Sequence, residues 1–431
     1  MKVPFKEDFL QFVWMHRYFD FKNLRTTTGE SIEIIHQGYL NRDEGPDFLQ
    51  AKIKIGDILW NGSVEIHISS MGWQQHAHGK HQAYNNVVLH VVYETDTNAV
   101  VARPDLSPIP TLALKDRISW ELIQKGMYLF ENLAAIPCEA YLHDIESAII
   151  ASAIDRASVH RLERKSAELQ AELKLVNFDW EELAYKTVAK YMGMKVNNDA
   201  FARLTTLMPY KYLIKQENVF QIEALLYGQA GLLEHNPKDE YQQQLLKEYQ
   251  FQKHKFSLPE PMGMHEWKHL RLRPANFPEM RIAELAAMVS LRKSLFSGMI
   301  EATHIQDFHS LFKAEVSAYW QHHFRFGKSH AQKHKGIGSM ALASLIINVV
   351  IPLTFAYASY KGDSFLKDKA FSLLEKLPFE NNAITRLWAE KDICAQNGLE
   401  SQALIELFNN FCSLKKCLQC PIGAHILRRD K

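Results

Sequence analysis

The spacing of apolar residues changes once along this chain, near residue 115, and that change limits the fold more than any motif. Before it the residues alternate. In "AKIKIGDILWNGSVEIHIS" Ile53 and Ile55, then Val64, Ile66 and Ile68, recur at every second position, as strand side chains sharing one face must. "NG" at Asn61–Gly62 signals a hairpin turn, and "GD" at Gly56–Asp57 offers an earlier bend. "SIEIIHQGYL" reads as another strand. "NNVVLHVVYET" is a nearly continuous β-branched run, which fits a strand covered on both faces. One helix precedes them, with Phe9, Phe12, Val13 and Trp14 at helical spacing in residues 6–19.

After residue 115 long helical periods take over, as in "ESAIIASAIDRASVHRLERKSAELQAELKL" and "RIAELAAMVSLRKSLFSGM". "SLPEPMGM" and "RLRPANFPEM" punctuate this part. The expected fold is α+β: an α/β domain over residues 1–112, a helical domain over 113–260, and a helical domain over 261–431 ending in a cysteine cluster. A chain of 431 residues is long enough for several cores.

Composition narrows the partners. With 47% hydrophobic and 23% charged residues, the chain is globular and not disordered. A net charge of +1 gives no overall pull toward nucleic acid or membrane, so any such role rests on local patches. "MKVPFKEDFLQFVW" carries Glu7 and Asp8 where an export signal needs an apolar core. "MALASLIINVVIPLTFAY" (340–357) approaches membrane length but contains Asn348 and Pro352. It reads as a buried helix ending near Pro352. The expected location is cytoplasmic, with no membrane partner.

The sharpest chemical pattern is "GPDFLQAKIKIGDILWNGSVEIH" (45–67). Asp47 follows a proline that stops the strand from extending. Eighteen residues on, Glu65 and His67 share a strand face, opposite Val64, Ile66 and Ile68. Folding the hairpin brings Asp47 toward Glu65. Two carboxylates at such an edge suit Mg²⁺ or Mn²⁺, with His67 able to handle a water because an imidazole titrates near working pH. The plainer alternative is a hairpin with solvated charges.

Helix, strand, Pro-Asp at a strand start, hairpin, Glu-x-His, helix and strand form an order that resembles the PD-(D/E)XK nuclease superfamily. That resemblance covers about residues 1–110. It implies a restriction-endonuclease-like fold and makes Asp47, Glu65 and the Ile66 carbonyl metal ligands. His67 stands where that superfamily has a lysine, which stays cationic where histidine can be neutral. Glu7 is the one candidate for an additional acidic residue from the first helix. The whole chain also resembles an uncharacterised bacterial family, through "LLYGQAGLL", "LRPANFPEMRIAELA" and "CSLKKCLQCPIG" among other passages. This second resemblance implies no activity.

Five histidines, His67, His76, His78, His81 and His90, fall within 24 residues. If Gln74 to Tyr84 is a helix, His78 and His81 share a face. His90 lies in the strand that follows. Phosphate binding or a second metal is the functional reading, with His78 and His90 the nucleic-acid candidates; satisfied core and surface histidines are the other.

"FCSLKKCLQCPIGAHIL" sets Cys412, Cys417 and Cys420 at spacings that suit Zn²⁺ or an iron–sulfur cluster. Lys415 and Lys416 would favour the thiolates. Cys394, His425 or Cys138 could supply a fourth ligand. The pattern is loosely similar to the cysteine loop that closes some iron–sulfur DNA glycosylases and nucleases, at different spacing.

"YWQHHFRFGKSHAQKHKGIGSM" mixes aromatic with basic residues, and Arg325, Lys328, Lys333 and Lys335 are its nucleic-acid candidates. There is no P-loop, no GxGxxG after a strand, no HExxH and no GxSxG. The expected function is a metal-dependent nuclease acting on DNA or RNA. The alternative is a non-catalytic nucleic-acid-binding or ribonucleoprotein-associated protein.

Overall fold

A computed structural model describes residues 5–96, 101–233, 236–331, 333–334 and 336–428. The chain divides into two compact units: Met1–Ile154 with Glu406–Lys431, and Asp155–Ile405. The three-domain expectation does not match this division. Residues 113–154 and the C-terminal segment belong with the sheet, and the rest of the helical region is one unit.

The first unit is built on a six-stranded mixed sheet. Helix α1 (Glu7–Met15) leads into strands β1 (Ile32–His36), β2 (Tyr39–Leu40), β3 (Phe48–Ile55) and β4 (Ile58–Ser69). Strands β5 (Val87–Glu94) and β6 (Thr111–Ala113) follow. The order is β1-β3-β4-β5-β6, with β2 paired to β3. Strand β3 runs antiparallel to β1 and β4, while β4, β5 and β6 run parallel. Helix α1 buries Phe9, Leu10, Val13 and Trp14 completely. Each such side chain contributes about 1.5–3 kcal/mol of transfer free energy.

The hairpin turns at the earlier of the two signals. Ile55 pairs with Ile58, and Gly56 (φ +58) takes the left-handed turn. Asn61–Gly62 instead lies inside β4, for a packing reason. A Cβ on Gly62 would stand 2.5 Å from the Asn86 carbonyl and 2.4 Å from Val88 Cγ1. The glycine lets β5 approach.

The segment 74–84 is not one helix. A turn of helix at Gly72–Gln75 and two 3₁₀ turns, His78–Lys80 and Gln82–Tyr84, are separated at Ala77, whose φ is +57. His78 is thereby buried while His81 stays exposed.

The second unit packs its helices around one large core. Its most apolar segment, Ser339–Lys361, is long and apolar enough to cross a membrane, and 67% of its most apolar 18-residue stretch lies buried within the protein. The helix does not end near Pro352. A π-helical stretch at Ile346–Val350 precedes the proline and takes up the distortion that its ring and missing N–H impose inside a continuous helix.

The close approach at Gly62 is testable. Gly62→Ala should lower stability by about 1–3 kcal/mol, the usual cost of overpacking, as read by urea denaturation. An unchanged midpoint would contradict the packing of β5 on β4.

Candidate metal centre

A β-bulge builds the site. Toward the turn, Ala51 pairs with Gly62; toward the start of β3, Phe48 pairs with Val64. One extra residue has entered β3 between them, and Gln50 adopts φ +59 there. Without the bulge, Phe48 would oppose Glu65 and Asp47 would oppose Ile66, on the core face. With it, Asp47 comes opposite Glu65, on the same face.

Hydrogen bonds lock this register. The Asp47 N–H donates to Glu65 Oε2 (3.0 Å), and the Ile66 N–H donates to Asp47 Oδ2 (2.9 Å). Gln11 Nε2 on α1 donates to Asp47 Oδ1 at 2.8 Å. Glu65 is buried and Asp47 half-buried. Burial holds both carboxyls above the usual carboxylate range, and Glu7 on α1 adds repulsion to each. Glu7 thus lies close enough to act on the pair.

Four histidines surround the carboxylates. His67 Nδ1 lies 2.8 Å from His90 Nε2, and His67 Nε2 lies 3.2 Å from His76 Nδ1. Glu65 Oε1 is 3.7 Å from His67 Nε2 and 3.1 Å from His78 Nε2. The second contact lacks hydrogen-bond alignment, leaving His78 Nε2 buried without a hydrogen bond. The two groups face each other as two ligands of one cation would. Donor atoms of His67, His76 and His78 lie within 4.8 Å of one another. Tyr84 stacks on His78 at 3.9 Å between ring centroids, and the Trp73 edge meets both His78 and His90. Gly72 leaves room for His67, since a Cβ there would lie 2.6 Å from its ring.

Several expectations change. His67 does not titrate near working pH: burial, with His90, His78 and His76 beside it, pushes its pKa down to about 2. It stands as a neutral imidazole braced by His90. His90 is fully buried in β5 and held down to about 3 by burial, so it cannot touch a nucleic acid. Donation from His67 Nδ1–H to His90 Nε2 would leave the His67 Nε2 lone pair to accept from His76 or to bind a metal. His78 is in the centre itself and not on an outer phosphate surface. His76, Gln11 and Tyr84 complete the surroundings. The histidine density was the signal for His76; nothing in the sequence pointed to Gln11.

The other candidates lie elsewhere. Arg325, Lys328 and Lys333 belong to the second unit. Arg325 Nε contacts Glu279 Oε1 at 3.3 Å, while Lys328 and Lys333 are exposed. Lys335 lies outside the described residues. Cys412, Cys417 and Cys420 are buried in the first unit, and Cys394 is exposed in the second.

The donor set fits a divalent ion. Two carboxylates are hard ligands, and neutral imidazoles extend the choice to Mn²⁺ and Zn²⁺. The pH dependence follows from opposing shifts. Asp47 and Glu65, held high, favour folding at low pH and lose that contribution as pH rises through their folded values. His67 and His90, held low, contribute stability above the ordinary histidine value, and it is lost as pH falls below it. A bound cation removes the carboxylate penalty but competes with their protons. Mn²⁺ should therefore raise the melting temperature more at about pH 8 than at about pH 5.5, and Glu65→Gln should abolish the rise. Thermal shift at both pH values measures this; no rise in the wild type would refute the site.

No curated protein and no solved structure matches the chain. A family model does match, over residues 7–383, so the chain belongs to the family described as protein of unknown function DUF2851.

Proposed function

We propose that the protein is a cytoplasmic, metal-dependent nuclease with a PD-(D/E)XK-like, restriction-endonuclease-like core. The observation that carries this reading is the bulge that sets Asp47 against Glu65, two residues before His67 on the same strand. The order of elements also supports it: α1, β1, Pro-Asp before β3, a hairpin, Glu-x-His on β4, helical turns, then β5 parallel to β4.

Asp47, Glu65 and His78 would hold the ion, with His67 and His76 beside them. When bound, the ion would polarise a phosphoryl oxygen and activate a water. Asp47 and Glu65 supply the negative charge that draws it in. His90 fixes the His67 ring, and Gln11 fixes the Asp47 carboxylate. His76 is the exposed member of the histidine set, so it is the imidazole that a substrate can reach from solvent. The histidine-rich donor set favours Mn²⁺ over Mg²⁺.

One observation favours a second reading, non-catalytic nucleic-acid binding. The lysine position of the resembled motif holds a buried neutral histidine, which cannot place a positive charge beside a phosphate.

The test is cleavage of labelled single-stranded DNA, duplex DNA and RNA with Mn²⁺ or Mg²⁺. Glu65→Gln keeps an oxygen to accept the Asp47 N–H but removes the charge. It should reduce cleavage by about 100-fold or more. Equal cleavage by both proteins would refute the assignment. Salt-sensitive binding without turnover in the wild type would favour the second reading.

A further inference from the structure

Four donor atoms of the centre face one another at close to the spacing of a tetrahedron. His67 Nε2 lies 3.2 Å from His76 Nδ1, and Glu65 Oε1 lies 3.7 Å from His67 Nε2 and 3.1 Å from His78 Nε2. The three histidines each bring a ring nitrogen within 4.8 Å of the others. A tetrahedral zinc ion, bound at about 2.0–2.1 Å to nitrogen and oxygen, holds its donors roughly 3.3–3.4 Å apart. The three measured separations, 3.1, 3.2 and 3.7 Å, fall on either side of that edge.

Strand β4 and the turns after it supply these donors. Glu65 and His67 share a face of β4. His76 ends the turn Gly72–Gln75 and His78 opens the turn His78–Lys80, on either side of the left-handed Ala77. His78 is only 9% exposed, yet its Nε2 has no hydrogen bond. A buried polar nitrogen is costly unless something binds it. Tyr84 stacks on the His78 ring at 3.9 Å, and the Trp73 ring meets it edge-on at 5.4 Å. His67 Nδ1, 2.8 Å from His90 Nε2, is the outward nitrogen that orients a ligating ring. Asp47 stands apart from this set. Its oxygens accept the Ile66 N–H at 2.9 Å and Gln11 Nε2 at 2.8 Å.

We propose that Glu65, His67, His76 and His78 form a closed zinc site, and that zinc there expels the ion of the nuclease reading, on which this regulatory role rests. The two arrangements exclude each other because both take Glu65 and His78. Held by Asp47, Glu65 and His78, an ion keeps positions for a water and a phosphoryl oxygen. Held by four protein donors in a tetrahedron, zinc keeps none, which is the form of a structural site and not of a catalytic one. Zinc replaces the His67–His76 hydrogen bond, and each ring keeps its proton on the nitrogen away from the ion. Affinity also favours zinc, since imidazole-rich sites bind it more tightly than Mn²⁺.

The full chain, stripped of metal with a chelator, should be titrated with Co²⁺, whose visible bands are intense in a tetrahedral site and faint in an octahedral one. One equivalent should produce the intense bands, and one equivalent of Zn²⁺ should remove them. The same amount of Zn²⁺ should release Mn²⁺ already bound to the chain, as followed by electron paramagnetic resonance. His76 is exposed, so His76→Ala spares the core, and it should weaken zinc binding by about 100-fold or more. Faint octahedral bands, Mn²⁺ retained beside Zn²⁺, or unchanged zinc affinity in His76→Ala would each overturn the proposal. These readouts record binding alone. A chain that binds zinc in this way but cleaves nothing with Mn²⁺ would overturn the nuclease reading and not the zinc site.

Discussion

Two reciprocal hydrogen bonds, from the Asp47 N–H to Glu65 and from the Ile66 N–H to Asp47, hold the first unit's chemistry in place. Each carboxylate accepts a backbone N–H from the other's strand region. The pair therefore clamps the start of β3 to the middle of β4 while leaving other lone pairs for a ligand. Charged groups this buried are costly unless they are hydrogen-bonded or coordinated. The bonds meet part of that cost. The raised carboxyl values and the unbonded His78 Nε2 show what they leave unmet.

The centre depends on strained or crowded backbone. Gln50 occupies the left-handed region where glycine is the easier choice, at a cost on the order of 1–2 kcal/mol. Ala77 does the same between the helical turns that carry His76 and His78. Such positions persist where the surrounding structure over-determines them, and they cluster at functional sites. Here each one re-aims a polar side chain of the candidate centre. The Gln50 bulge brings Asp47 round to Glu65, and the Ala77 break turns His78 inward.

The first unit also contains two kinds of donor set with different demands. Carboxylates and imidazoles around Glu65 offer oxygen and nitrogen to a divalent ion, while the buried thiols at the chain's end offer only soft sulfur.

Local spacing in the sequence was enough to set the elements and the facing of β4. Side chains two apart on a strand must share a face, so spacing alone pairs Glu65 with His67. The apolar alternation of β3 and β4 and the helical periods after residue 115 are equally legible, because they too are local. The remaining features come from contacts between distant segments. Asn61–Gly62 has the composition of a turn, but its glycine answers to β5, a contact that no local pattern encodes. A one-residue bulge leaves no periodic trace, yet it decides which face Asp47 takes. The fully buried environment that keeps His67 neutral comes from His76, His78 and His90, brought in by other segments. The chain's end returns to the sheet-bearing unit, a return that nothing in the local sequence announces. Residue identity supplied the candidate ligands; long-range packing set their faces and their partners.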